Sequence, residues 1–122
     1  MKVCKTKMFH KWMKVNKIAG TKLKETTMEI SAGLIDVHLG GGLYKKRIQT
    51  TNKGKSEGAR VILAYKKEAR LIFLYGFNKN EKDNISKKEQ EAFKKLADFY
   101  LNLTDFAITK ALLIHELMEV KL

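Results

Sequence analysis

Residues 59–77 read ARVILAYKKEARLIFLYGF. Two apolar runs rich in Val, Ile, Leu, Phe and Tyr flank Lys67-Glu68, which predicts antiparallel strands over 59–66 and 69–77. The dipeptide lacks the Asn-Gly chemistry of the best two-residue turns, so the register is open by a residue or two. A centred turn pairs Arg60 with Tyr75, Ile62 with Phe73, and Tyr65 with Arg70. Arg60 and Tyr75 then stand together at the open end of the hairpin, beside Phe77-Asn78-Lys79.

Upstream, residues 49–58 (QTTNKGKSEG) hold no apolar side chain and read as a loop. Before it, 43–48 (LYKKRI) reads as a strand following a Gly40-Gly41-Gly42 turn. Residues 9–15 and 23–32 show helical spacing and form a helical hairpin over 9–33, with Leu23, Thr27 or Met28, and Ile30 near one face. Residues 1–7 alternate as a short strand. Downstream, Ser86-Lys87-Lys88-Glu89 is a capping box. It opens a helix with Ala92, Phe93, Leu96, Phe99, Tyr100 and Leu103 at three- to four-residue spacing. Thr104-Asp105 marks a second start, so 86–118 reads as C-terminal helix or helices. The order is an N-terminal strand, a two-helix hairpin, a three-stranded antiparallel sheet over 43–77, and C-terminal helices. That is an α+β fold.

A length of 122 residues predicts a single domain over 1–122, and 44% apolar residues suffice for a core. No run of 18 apolar residues exists, which removes a spanning helix, and MKVCKTKMFHKW has no secretory-signal core. The lone Cys4 closes no internal disulfide and fits a reducing, cytoplasmic setting. The formal charge is +12, and it is not spread evenly. Residues 1–80 carry 18 Lys/Arg against 5 Asp/Glu, whereas 81–122 carry 7 against 8. Its densest part is 43–60, with Lys45, Lys46, Arg47, Lys53, Lys55 and Arg60 against Glu57. Such a surface suits nucleic acid, an anionic membrane or an acidic protein. The lysines do not form one basic amphipathic face, which disfavours the membrane.

Several chemistries are disfavoured by spacing. His10, His38, His115 and Cys4 lie in separate elements without metal-ligand spacing, so no metal or other cofactor is expected. No Gly-x-Ser-x-Gly or Cys-His arrangement supports a nucleophile. Gly54-Lys55-Ser56 ends like a phosphate loop, but a strand follows it where a helix should. Arg70 is read as a cation–π partner of Tyr65. Phe9 and Trp12 staple the first helix to the sheet. What remains is a cluster of Lys and Arg at the open end of a hairpin. Such a cluster suits one metal-free reaction of RNA, attack of a 2′-hydroxyl on its own 3′-phosphate. A lysine among other cations has its pKa lowered, which makes it a usable base.

Three ordered strings carry a resemblance. They are 41–48 (GGLYKKRI), 54–60 (GKSEGAR) and 74–85 (LYGFNKNEKDNI), joined by 32–36 (AGLID). Together they resemble the RelE/ParE superfamily of bacterial type II toxin–antitoxin modules, and more narrowly its HigB-like (RelE-like) branch, over about residues 1–100. The resemblance implies the RelE-like fold and an mRNA interferase, a ribosome-dependent endoribonuclease. It also implies a cytoplasmic toxin, monomeric or held in a hetero-oligomer with a cognate helix-turn-helix antitoxin.

By position, the resemblance makes Arg60 the holder of the scissile phosphate. It makes Lys79 the helper in proton transfer or charge stabilisation. Lys45 and Arg47, on one strand face, contact backbone phosphate, and Lys53 and Lys55 add affinity. Tyr75 and Asn80 complete the expected RNA-binding set. The chain also departs from the pattern. Glu57 and Ala59 replace a glycine and a polar or aromatic residue, and Ser86 stands where some members carry tyrosine. These departures keep open a non-catalytic relative, either a ParE-like inhibitor of DNA gyrase or a degenerate RNA binder.

Overall fold

The computed structural model describes residues 1–50 and 58–122. The hairpin predicted from 59–77 lies at the heart of the sheet, as β4 (Ala59–Lys66) and β5 (Arg70–Asn78). Residues 61–64 and 71–74 are all fully buried. Helices cover both faces, so apolar side chains are needed at every position and not at alternate ones. β3 (Leu43–Ile48) pairs antiparallel with β4, and β2 (Val37–Gly40) pairs antiparallel with β3. Across β5 lies β1 (Lys2–Thr6), which is parallel to it, and β6 (Leu117–Glu119) closes that edge antiparallel to β1.

The strand order is β2-β3-β4-β5-β1-β6. The expected three-stranded antiparallel unit is therefore β3–β4–β5 within a six-stranded mixed sheet. β1 enters parallel because the following chain crosses a sheet face as two helices before the hairpin returns, the usual requirement for a parallel pair. Neither β2 nor β6 is predicted from sequence. Both are short edge strands of four and three residues, too short for alternation to register.

The register of the hairpin corrects the centred-turn expectation. Glu68 takes a left-handed φ of 64°, and the Ala69 amide donates to the Lys66 carbonyl at 3.0 Å. Ala69 thus belongs to the turn, and Lys66 faces Arg70. A bulge between Ile62 and Leu63 of β4 then leaves Leu74 of β5 as an extra residue. Arg60 lies opposite Phe77, Ile62 opposite Tyr75, and Tyr65 opposite Leu71. Each displacement follows from one extra residue in the turn and one in the bulge.

The helical hairpin is α1 (Lys7–Val15) and α2 (Gly20–Ser31). Its Phe9, Met13, Leu23 and Ile30 form a cluster with Val61, Leu63, Leu71 and Phe73 of the sheet. Thr27 takes the inner position on α2, and Met28 is exposed. Phe9 stacks on Phe73 with centroids 5.1 Å apart. Trp12 lies directly over Gly76, where a β-carbon would meet its ring at 2.3 Å. The glycine is what admits the indole, so the aromatic staple rests on a strand position without a side chain.

The opposite face carries α3 (Lys87–Leu101) and α4 (Asp105–Leu113), whose Ala97, Tyr100, Ile108 and Ala111 pack on Leu43, Ile62, Ile72 and Leu74. The capping box forms: Glu89 N–H donates to Ser86 Oγ at 3.1 Å, and Ser86 N–H donates to Glu89 Oε1 at 2.7 Å. Thr104 caps α4 with its hydroxyl alone, which accepts from the Ala107 N–H at 3.0 Å. The helix expected to run to 118 stops at Leu113. His115 turns left-handed with φ 61°, the Glu116 amide donates back to the Ala111 carbonyl, and the chain leaves as β6. Apolar residues run through this break because helix and strand both face the core, so periodicity does not reveal it.

Arg70 also departs from its expected place. It is buried, and its Nη1 donates to the carbonyls of Tyr100 at 2.6 Å and Leu103 at 2.9 Å. Its Nη2 meets Asp105 at 3.0 Å. Arg70 therefore satisfies the carbonyls at the α3–α4 junction, which the helix leaves without partners of its own.

Candidate functional site

β3 divides its three consecutive basic residues between two faces. Lys46 lies opposite Val61 and points toward α2, where its buried ammonium pairs with Glu29 at 3.2 Å. Lys45 and Arg47 point to the α3 side, because successive strand residues alternate. Directly opposite residues share a face, so two cross-strand rows form there. One is Lys45–Ile62–Tyr75, and the other is Arg47–Arg60–Phe77. Exposure rises along β3, from buried Leu43 through half-buried Lys45 to exposed Arg47. α3 and α4 thus cover one end of this face and leave the basic end open.

The segment after β5 folds back over that end. The Lys79 amide extends the ladder by donating to the Gly58 carbonyl at 3.1 Å. The Lys79 ammonium reaches the Asp83 carbonyl at 3.4 Å and its carboxylate at 3.9 Å. Asn84 then accepts from the Lys45 ammonium at 3.2 Å, tying this segment to β3 across β4. From the other side Asp36, just before β2, accepts from the Arg47 backbone amide at 2.6 Å and from its Nε at 3.0 Å. A cleft of about 310 Å³, lined by Gly33, Leu34, Ile35, Asp36, Lys46 and Arg47, adjoins the cations.

Crowding of like charge marks the electrostatics. Burial first, then Arg60 and Lys79, push the Lys45 pKa below the ordinary lysine value, while Asp36 opposes the shift. Burial and Arg47 likewise lower Arg60, again against Asp36; Arg60 remains a cation at any working pH. Burial works against ionising Asp36, but the bonds from the Arg47 amide and guanidinium outweigh it and leave its pKa lowered. The result is a concave cationic shelf around one partly dehydrated lysine, a setting that takes a phosphate and favours proton removal.

A second polar group lies beside it. Lys82 contacts Glu89 at 2.6 Å and the Tyr75 hydroxyl at 3.5 Å, with its ammonium 5.4 Å from the centre of the Tyr75 ring. The Glu89 bond raises the Lys82 pKa, and the same bond lowers that of Glu89. Phe93 and Phe77 flank the tyrosine ring at 5.1 and 6.1 Å. Tyr75 therefore presents a hydroxyl more readily than a ring face.

Of the residues singled out from sequence, Lys45, Arg47, Arg60 and Lys79 come together, and Asn80 lies on the exposed turn after Lys79. Tyr75 shares their face one row in from Arg60. Lys53, Lys55 and Glu57 lie outside the described residues. Asp36, Lys82 and Asn84 are absent from the sequence-based site. All three sit within the quoted strings 32–36 and 74–85, but nothing in their spacing marks them. Among the described residues no group of three or more His, Cys, Asp or Glu side chains is placed to hold a metal ion. Among the same residues no helix is long and apolar enough to cross a membrane.

The family model described as RelE toxin of RelE / RelB toxin-antitoxin system matches residues 1–120. No curated protein matches the chain.

Proposed function

The chain belongs to the RelE toxin family of toxin–antitoxin systems, and from that premise we propose that its cationic shelf cleaves messenger RNA on the ribosome without a metal ion. The scissile phosphate lies against Arg60 and the outer edge of Arg47. Two guanidiniums match the non-bridging oxygens and neutralise the charge that grows in the pentavalent transition state. Neutral Lys45 takes the proton from the 2′-hydroxyl, whose oxygen attacks the adjacent phosphorus. The bond to the 5′-oxygen breaks, and the Lys79 ammonium gives that leaving oxygen a proton. The products are a 2′,3′-cyclic phosphate and a 5′-hydroxyl. Lys53, Lys55, Asn80 and the Tyr75 hydroxyl add contacts to flanking nucleotides. The cognate partner is a helix-turn-helix antitoxin that covers this surface.

One observation carries the proposal: the two cross-strand rows bring Lys45, Arg47 and Arg60 onto one open end, with Lys79 close enough to perturb Lys45. The test is purified protein in a translation extract with a defined message, read by primer extension. Arg60→Ala should lower cutting by about a hundred- to a thousandfold with the fold intact, and a 2′-deoxy substitution at the cut site should abolish it. Cutting that persists at the wild-type rate in Arg60→Ala overturns the assignment.

Ser86 favours a second reading. Its hydroxyl is engaged in the capping box, where some relatives place a catalytic side chain. Intact message together with blocked DNA supercoiling by gyrase would favour the non-catalytic, ParE-like alternative.

A further inference from the structure

Arg47 and Arg60 lie directly opposite each other across β3 and β4. Like charges in that position repel, and Lys45 and Lys79 add to the same field. Asp36 reaches into this group from the connection between α2 and β2. Its side chain is 25% exposed, and both oxygens are used. Oδ2 accepts from the Arg47 backbone amide, just beyond the Val37–Lys45 pair where β2 begins. The side chain thereby continues the ladder that the short strand does not reach. Oδ1 takes the Nε–H of the same arginine. A guanidinium held at Nε still has both Nη groups to offer as a fork. Among the described residues, nothing accepts from those Nη groups.

We propose that Asp36 is a positioning residue of the cleavage site, which aims the Arg47 guanidinium and supplies the counter-charge that lets Lys45, Arg47 and Arg60 share one end of the sheet. This rests on the RNA-cleavage reading for its consequence but not for its geometry. Asp36 also raises the pKa of Lys45 and of Arg60 against the neighbouring cations. The groups facing Lys45 among the described residues are Arg60 from β4, Lys79 and Asn84 from the β5–α3 connection, and Asp36 itself. Removal of the Asp36 charge takes away one influence that opposes burial and these cations, and moves Lys45 to a lower pKa.

The experiment uses the full chain as wild type, Asp36→Asn and Asp36→Glu, with thermal melts to establish folding. Two quantities are read: the Lys45 side-chain titration by NMR, and the pH dependence of kcat and KM for message cleavage. In Asp36→Asn, Lys45 should titrate at lower pH and the rising limb of the rate profile should move with it. The plateau kcat should fall about ten- to a hundredfold, with KM little changed. Asp36→Glu keeps the charge one methylene further out. It should leave the Lys45 titration near wild type yet lower kcat.

A purely structural role would move neither the titration nor the limb. An unmoved Lys45 titration in a folded Asp36→Asn overturns the counter-charge. Should Asp36→Asn fail to fold, Asp36→Glu decides: an undiminished kcat overturns the positioning role. A wild type that titrates as described but cuts no RNA removes the cleavage reading and leaves the counter-charge standing.

Discussion

Arg60 and Arg70 lie on the same face of the same hairpin, ten residues apart, and have opposite surroundings. Arg70 sits at the turn end beneath the α3–α4 junction, buried, with two carbonyls and a carboxylate as partners. Arg60 sits at the open end, half-exposed, opposite Arg47 and beside Lys45. Residue type and sheet face are shared, and the coverage at the two ends of the hairpin differs. Where helices seal the sheet, a guanidinium satisfies carbonyls and holds the fold together. Where they stop, it stands half-exposed among other cations. A basic residue near a strand end therefore says little until the covering layer is known.

The sharpest test of this contrast is a paired substitution. Arg60→Ala should lower cleavage by about a hundred- to a thousandfold, the usual cost of one charge-stabilising donor, with little change in melting temperature. Arg70→Ala should do the reverse. Leaving the Tyr100 and Leu103 carbonyls unsatisfied should cost about 2–4 kcal/mol in denaturant melts, while the rate per folded molecule holds. Equal losses of activity from both would break the comparison.

Lys45 and Lys46 repeat the contrast on adjacent residues. Glu29→Leu strands the buried Lys46 ammonium and should destabilise by about 3 kcal/mol, whereas Lys46→Met should cost under about 1 kcal/mol. Chemical denaturation of the two variants decides it. Gly76→Ala forces a β-carbon into the Trp12 ring and should cost about 1–3 kcal/mol, seen as a lower melting temperature.

The smallest expected effect is on pH. The Asp36 pKa is lowered in the folded chain, so its contribution to stability is present above the unfolded aspartate value, about 3.9, and is lost as pH falls through the folded value. Asp36→Asn should flatten that acid limb in melts followed below about pH 4.

Much of this was legible in the chain. The apolar runs in 59–66 and 69–77 announce two antiparallel strands, Ser86 and Glu89 announce a helix start, and alternation over Lys45-Lys46-Arg47 separates the two faces. The resemblance carried by 41–48, 54–60 and 74–85 pointed to the family that matches residues 1–120. Other features were not legible. The register slipped because a left-handed Glu68 and the Leu74 bulge each add a residue without a composition signal. β6 hid inside an apolar run shared with α4. The expected Arg70–Tyr65 pairing fails because the partners of Arg70, main-chain carbonyls thirty and more residues away, have no sequence signature.

Periodicity, caps and charge distribution are properties of neighbouring residues, so the chain alone settled which segments become strands and helices, the α+β class, and the basic character of residues 43–60. Coverage, register and counter-charge join residues distant along the chain. Only the folded molecule decided that Arg60 meets Arg47, that burial and then the neighbouring cations lower the Lys45 pKa, and that Asp36 bonds Arg47. Short-range rules write the elements, while side chains far apart in sequence set the electrostatics of the site.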